Sequence, residues 1–348
     1  MPVPRMLESA AQHAWRLIVV AIAVLGGLWL VRRMWVVFLA LVLALLITRV
    51  LAAPAAALRR RRFPKAVAAG VSLLGFFAVI AAAMALIGFA VVNELDDIGP
   101  TLSSGIDDVE DWLVDDSPFD VTRADIDEFR ESIGERASSS LRDSGGSIVS
   151  GAVLAAEAIL SVVLGLILSF FALKDGDRFL AFVRTRVSDD RVDLVSRIGR
   201  RAWRTLGGYL RGAATLGVVE GTIIGVTLWL VGAELAVPMA VLTFIAAFVP
   251  FVGAIVAALV AVLVALGTGG FVPALIVAGV ALVVQQLDND LLAPVVYGRA
   301  LDLHPVVVLL GITAGGALFG IVGSILAVPV VAVAWGSVAE ARAPGEEI

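Results

Sequence analysis

The feature that most limits the fold of this chain is an apolar run of 27 residues without a charged side chain, from Ala66 to Val92. A transmembrane helix needs about 20 such residues. Only 16% of all residues are charged, against about 25% in soluble domains, and the mean hydropathy is +0.99. The sequence therefore predicts an all-α, polytopic membrane protein.

Long apolar runs recur along the chain and predict several transmembrane segments. Two runs in the C-terminal half are too long for one straight span, so broken or re-entrant helices are expected there. The predicted parts are spans one to three in residues 1–92, span four in 148–173, a C-terminal transport core with spans five to eight in 212–339, and a tail in 340–348.

Charged residues are segregated between the spans. The turn 59–65 is strongly basic, and the connector 174–211 carries ten Lys and Arg against five Asp. Residues 93–147, which lie between these two segments, carry 16 Asp and Glu against four Arg. Because basic loops face the cytoplasm, the pattern predicts a multi-pass protein of the cytoplasmic membrane. Its N-terminus is expected in the cytoplasm, and a small acidic domain at 93–147 is expected outside.

The connector 174–211 contains an amphipathic segment with a helix start at Ser188, Asp189 and Asp190. Apolar residues recur there at helical spacing and arginines fill much of the remainder. This pattern favours a helix at the membrane surface whose arginines reach lipid phosphates. No soluble basic domain accompanies the arginines, so the lipid bilayer is the expected partner and a nucleic acid is not.

Three glycines of the fifth span, Gly217, Gly221 and Gly225, recur every four residues and form one stripe. Such stripes let two helices approach closely. Glu220 lies on the flank of the stripe at the depth of the span, so it is expected to face protein or water. A carboxyl group in apolar surroundings holds a proton more readily, which suits proton-coupled transport. The alternative is a protonated glutamate that only hydrogen-bonds a neighbouring helix.

Two C-terminal runs, 237–266 and 306–338, contain residues that interrupt helices. The first run is either a broken, tilted span or a re-entrant hairpin. Broken helices at bilayer depth expose backbone groups that transporters use to bind ions and solutes. The expected helix-breaking residues are Pro250 and Gly253 in the first run, and Gly315, Gly316 and Pro329 in the second.

A polar cluster follows the seventh span and ends at Pro294. Carboxylates and amides at bilayer depth usually line a cavity or a pathway. Together with Glu220, the cluster therefore predicts a transport or ion pathway, while a surface loop that caps a helix is the alternative. Its members are Gln285, Gln286, Asp288, Asn289 and Asp290.

The sequence lacks the common catalytic and cofactor motifs. It has no cysteine and only two histidines, which leaves few ligands for a metal site. It has no GxxxxGK[ST] phosphate loop, no HExxH and no GxSxG elbow. We therefore expect no enzyme activity, no cofactor and no metal.

Several motifs resemble the autoinducer-2 exporter family, also called the PerM-like permeases. The order of spans, basic turn, extracytoplasmic domain and connector is similar as well. The resemblance implies eight transmembrane segments, a homo-oligomer such as a pentamer, and transport of a small solute without ATP hydrolysis. The segments that carry it are APAAALRRRRFPKAVA, YLRGAATLGVVEGTIIGVTLWLVG, FVPFVGA, QQLDNDLLAPVVYGRALDLHPVVVLL and GGALFGIVGSILAVPV.

The resemblance implies two different activities, export of the quorum-sensing signal autoinducer-2 and exchange of Na⁺ or Li⁺ for protons. We expect a permease for the efflux of a small polar solute such as autoinducer-2, with Na⁺(Li⁺)/H⁺ antiport as the alternative. A third hypothesis is a non-transporting membrane scaffold that recruits partners through the acidic domain and the basic connector.

Overall fold

The structure, a computed structural model, is helical through most of the residues that it describes. No strand occurs among them, so the prediction of an all-α fold is confirmed. The predicted first span lies largely outside the described residues. Those residues are 29–111, 147–233, 235–249, 252–288 and 304–342, with scattered residues in 14–27 and 112–132 and residue 290.

Six described helices or helix segments are long and apolar enough to cross a membrane. Three shorter apolar helices accompany them, and each is too short to span about 30 Å on its own. This mixture of long and short apolar helices confirms the polytopic class. The shorter helices are Ala236–Ala246, Phe271–Leu287 and Val306–Gly320.

Three long helices form the N-terminal part: α1 (Trp35–Arg60), α2 (Lys65–Asp111) and α3 (Ser147–Arg184). Their 26, 47 and 38 residues pack against one another. At about 1.5 Å per residue, α2 is about 70 Å long and carries the third span on into the acidic segment. Most of the predicted domain 93–147 beyond Asp111 lies outside the described residues.

α1 and α3 approach closely along small side chains. A Cβ at Gly165 would lie 3.2 Å from the carbonyl oxygen of Ala40, so only a small residue fits there. Ser169 is buried and donates to the carbonyl oxygens of Gly165 at 2.7 Å and Ala44 at 3.3 Å. These contacts hold the two helices side by side without leaving the hydroxyl unpaired.

α4 (Asp189–Leu230) is one continuous helix of 42 residues with Ser188 at its N-cap position. It contains both the amphipathic part of the connector and the fifth span, so the predicted boundary at 211/212 falls inside it. No proline interrupts this stretch, and the pair Gly207–Gly208 is buried in a helix contact. The first part of the connector, residues 174–184, extends α3.

α5 (Ala236–Ala246) and α6 (Val252–Gly269) fold back on each other, and we call this pair the first hairpin. Buried residues of both helices share one core, and a Cβ at Gly253 would overlap the carbonyl oxygen of Ala246. Because residues equally far from the turn meet in this way, the run 237–266 is a hairpin and not two collinear pieces of one span.

α7 (Phe271–Leu287) leads to α8 (Pro305–Arg342), which also folds back on itself. Its two arms, Val306–Gly320 and Val322–Glu340, form the second hairpin. The hydroxyl of Ser324 in the second arm donates to the carbonyl oxygen of Ile312 in the first at 3.2 Å.

The turn of the second hairpin corrects the predicted break points. It falls at Gly320, whose φ of 64° and ψ of −155° are accessible essentially to glycine alone. Gly315 and Gly316 are helical and lie where the arms touch, since a Cβ on Gly315 would come 2.5 Å from the carbonyl oxygen of Gly323. Pro329 stays inside the second arm, because neighbouring groups in membrane helices can compensate for its missing donor.

Candidate functional site

Glu220 is buried in the C-terminal half of the molecule, with 7% of its surface exposed. It lines a cavity of about 30 Å³ that is enclosed by α4, the first hairpin and α7. No lysine or arginine of the described residues pairs with it. The remaining walls are mostly alanine, isoleucine and valine: Ile224, Ala254, Ala257, Ala258, Ala281 and Val284.

Two further polar side chains line the same cavity, Thr243 from α5 and Gln285 from α7. Thr243 is buried and donates to the carbonyl oxygen of Met239 at 2.9 Å, which leaves its oxygen free to accept. Nothing in the sequence pattern marks Thr243, because a single threonine in an apolar helix usually bonds its own backbone. Only the packing of α5 on α4 places it in one cavity with a carboxyl group.

Asp288 follows α7 and lies one helical turn beyond Gln285, which lines the cavity. Its Oδ1 atom is buried and has no hydrogen-bond partner among the described residues. The structure therefore brings together three of the residues singled out in the sequence, Glu220, Gln285 and Asp288, from segments about 65 residues apart.

The other members of the polar cluster lie elsewhere. Gln286 and Asp290 are exposed, and the Gln286 amide donates to the Asp290 carboxylate. For these two residues, the exposed pairing agrees with the alternative prediction of a surface loop. Asn289, Pro294 and Pro250 lie outside the described residues.

The glycine stripe of α4 positions the first hairpin against Glu220. A Cβ at Gly217, Gly221 or Gly225 would lie 2.7, 2.6 or 2.7 Å from α5, at the Phe244 oxygen, the Ala240 oxygen and the Ala240 Cβ respectively. The backbones thus touch along almost the whole length of α5. Since Glu220 adjoins the stripe, the same contact sets how close the hairpin comes to the carboxyl group.

The tips of the two hairpins rest on different helices of the bundle. The first hairpin is held where the hydroxyl of Tyr209, in α4, donates to the carbonyl oxygen of Phe248 at 2.9 Å. In the second hairpin, the Phe319 ring stacks on Trp35 at the start of α1, with centroids 4.3 Å apart. Both hairpins are therefore anchored at their turns by aromatic residues.

Comparison with known proteins agrees with a transport role. The sequence model described as "AI-2E family transporter" matches residues 18–343. A Mycobacterium tuberculosis protein named "Putative transport protein MT0215" is 34% identical over 331 residues, 94% of this chain and 89% of the relative. The Escherichia coli K12 protein named "Putative permease PerM" is 32% identical over 57% of this chain and 58% of its own length.

A Bacillus subtilis protein named "Putative transport protein YrrI" is 27% identical over 48% of this chain and 50% of the relative. Together with the all-helical membrane fold, these matches define the class of the protein as a membrane permease. The chain belongs to the AI-2E transporter family.

Proposed function

We propose that this permease moves a small polar solute out of the cell without ATP hydrolysis, and that it couples the movement to protons through Glu220 and Asp288. The observation that carries the proposal is Glu220, which is buried in one cavity with Gln285, together with the buried, unsatisfied Oδ1 atom of Asp288 one helical turn beyond Gln285. Neither carboxyl group has a basic partner among the described residues.

Burying a charged carboxylate has a high free-energy cost. A carboxylate taken out of water without a partner costs several kcal/mol, and two neighbouring carboxylates repel each other as well. A proton on Glu220 neutralises this buried charge and so removes the repulsion between the two groups. A conformational change that wets the cavity would release that proton, and alternating exposure to the two sides of the membrane would couple it to transport.

Autoinducer-2 is the solute that we propose first, because the chain belongs to the AI-2E family. The cavity of about 30 Å³ holds about one water molecule, so it suits a proton or a bare ion and not a furanone. In this proposal Glu220 is therefore the coupling group, and the solute takes a wider path that opens during the cycle.

The second candidate is Na⁺(Li⁺)/H⁺ antiport, and the oxygen atoms around the cavity favour it. The Glu220 carboxyl group, the Thr243 hydroxyl and the Gln285 amide supply hard oxygen ligands from α4, α5 and α7. Such ligands suit small alkali cations. In this case the cation and the proton compete for the same carboxyl groups.

Flux measurements in proteoliposomes test the two candidates. Vesicles loaded with labelled autoinducer-2 are followed with and without an imposed pH gradient, and a second set with a trapped pH dye receives Na⁺ or Li⁺. Solute efflux that responds to the gradient supports the exporter, whereas cation-driven pH change without solute efflux supports the antiporter. Fluxes equal to those of protein-free vesicles in both sets would contradict coupled transport and favour the scaffold hypothesis.

We also propose a homo-oligomer such as a pentamer, a cytoplasmic N-terminus and an external acidic segment. The chain has no cysteine, so single cysteines report topology without a background. Ser104→Cys in the acidic part of α2 should react with an impermeant maleimide in intact cells, and Thr185→Cys after α3 should react only after lysis. Mass photometry in detergent gives the number of subunits, and a monomer would contradict the oligomer.

A further inference from the structure

We propose that Arg49 and Arg211 form a binding site for a phosphate group at the surface where α1 and α4 enter the membrane. The two arginines come from different helices and from different parts of the sequence. Nothing in the proposed transport mechanism uses them. Three features support such a site: the contacts that orient Arg49, the second arginine near it, and the position of both arginines next to apolar spans.

Arg49 is held in one orientation by α4. Its Nε donates to the carbonyl oxygen of Trp203 at 3.2 Å, and its guanidinium carbon lies 5.2 Å from the centre of the Trp203 ring. Gly207 provides the space, because a Cβ at this position would overlap the guanidinium group. A stacked arginine with one N–H used still has four N–H donors for a ligand.

A second cation lies near this oriented guanidinium on the same stripe of α4. Trp203, Gly207 and Arg211 follow one another at spacings of four and therefore lie on one stripe of α4. Arg211 is exposed and lies one helical turn from Gly207, the residue that the Arg49 guanidinium covers. Within the described part of the chain, neither arginine forms an ion pair with a carboxylate. An anion between them would relieve the repulsion.

The position of the pair points to a phosphate. Arg49 directly follows the apolar run Met34–Thr48, and Arg211 lies two residues before the apolar run Ala213–Val231. Both are therefore expected near the level where a span meets the headgroup region, and Trp203 beside Arg49 is a typical interfacial side chain. The planar guanidinium fork matches the oxygen atoms of phosphate.

Phosphate at this position could come from the headgroup of an anionic lipid or from free phosphate in solution. The experiment separates these sources by native mass spectrometry of the purified full-length protein in detergent. It compares binding of dioleoyl phosphatidylglycerol, of dioleoyl phosphatidylcholine and of inorganic phosphate. The same measurements are made on Arg211→Gln, Arg49→Gln and a control variant, Arg186→Gln.

Arg186 is an exposed arginine just after α3, where it stacks over Phe182. Its replacement by glutamine changes the net charge by the same amount as Arg49→Gln or Arg211→Gln. We expect Arg211→Gln and Arg49→Gln each to weaken phosphatidylglycerol binding about tenfold, because each variant loses a hydrogen bond to a charged group. Arg186→Gln should bind like the wild type, and Arg211→Lys should restore part of the affinity.

Loss of phosphatidylglycerol binding in these variants, with inorganic phosphate unable to compete, would assign the site to a lipid headgroup. Loss of inorganic phosphate binding in the same variants would assign it to free phosphate. Unchanged binding in Arg211→Gln would overturn the proposal. Because Arg211 is exposed, this variant should fold normally, and an unaltered thermal unfolding midpoint verifies that.

Discussion

The two hairpins of the C-terminal half are built from similar apolar sequence but differ in their surroundings. The first hairpin packs against α2, α4 and α7, and both of its helices contribute buried residues to the central core. The second hairpin packs mainly against α4. Its second arm has buried residues, whereas none is buried in the first arm, Val306–Gly320.

This difference explains where the polar site lies. A carboxyl group on a lipid-facing helix would be expensive, whereas an enclosed cavity can stabilise it with other polar groups or a proton. Glu220 and Gln285 lie beside the first hairpin, and Thr243 belongs to it. The exposed arm of the second hairpin carries large apolar side chains, such as Leu309 and Leu310, that suit lipid or another subunit.

The largest effect is expected at the polar site itself. Glu220→Gln keeps the size and removes the titratable group, so gradient-driven flux in proteoliposomes should fall to the level of protein-free vesicles. Glu157→Gln, at an exposed position of α3, is the matched control and should keep wild-type flux. Ser324→Ala in the second hairpin should also keep it. Full activity of Glu220→Gln would show that transport does not depend on the polar site beside the first hairpin.

The next largest effect is expected from crowding the first hairpin. Gly221→Ala would place a Cβ 2.6 Å from the carbonyl oxygen of Ala240, so the two backbones must separate. We expect a loss of about 1–3 kcal/mol in the free energy of unfolding, seen as a lower midpoint of thermal unfolding in detergent. Gly279→Ala, where nothing lies within 4 Å, should be neutral or slightly stabilising.

A smaller effect is expected at the turn of the second hairpin. Gly320→Ala meets no neighbouring atom but must adopt φ 64° and ψ −155°, at a cost of about 1–3 kcal/mol. Because the first arm is peripheral, the turn can relax, and we expect the lower end of this range. Gly176→Ala in α3 is the control, because this glycine is helical and no neighbouring atom lies within 4 Å of the added Cβ. Limited proteolysis that finds equal resistance in both variants would show that the turn is not strained.

The smallest effect is expected at the end of the second hairpin. Arg197 of α4 forms a 3.6 Å ion pair with Glu340, and both side chains are partly exposed. Such pairs contribute about 1 kcal/mol or less. Arg197→Gln should therefore lower the unfolding midpoint only slightly, and more at low salt than at high salt. An effect as large as that of Gly221→Ala would mean that the second hairpin is held as firmly as the first.

Much of the site could be predicted from local sequence alone. The spacing of Gly217, Gly221 and Gly225 indicates one stripe whatever the partner is, because helix geometry determines it. The depth of Glu220 in an apolar run likewise indicates protein or water around it. The partner of the stripe, α5, and the contribution of Thr243 could not be predicted, because both depend on the direction of the chain after its turn.

The turns of the two hairpins show most clearly what could not be predicted from the sequence. Long apolar runs indicate that 237–266 and 306–338 cannot be single straight spans, since about 30 residues exceed the bilayer. The sequence by itself thus determined the all-helical membrane class, the interruptions and the buried carboxyl group. Tertiary structure alone decided that both runs fold back, that the second turns at Gly320 instead of Gly315, and that Glu220 shares a cavity with Thr243 and Gln285. The physical reason is that a helix break frees the chain direction, and contacts between distant segments then select it.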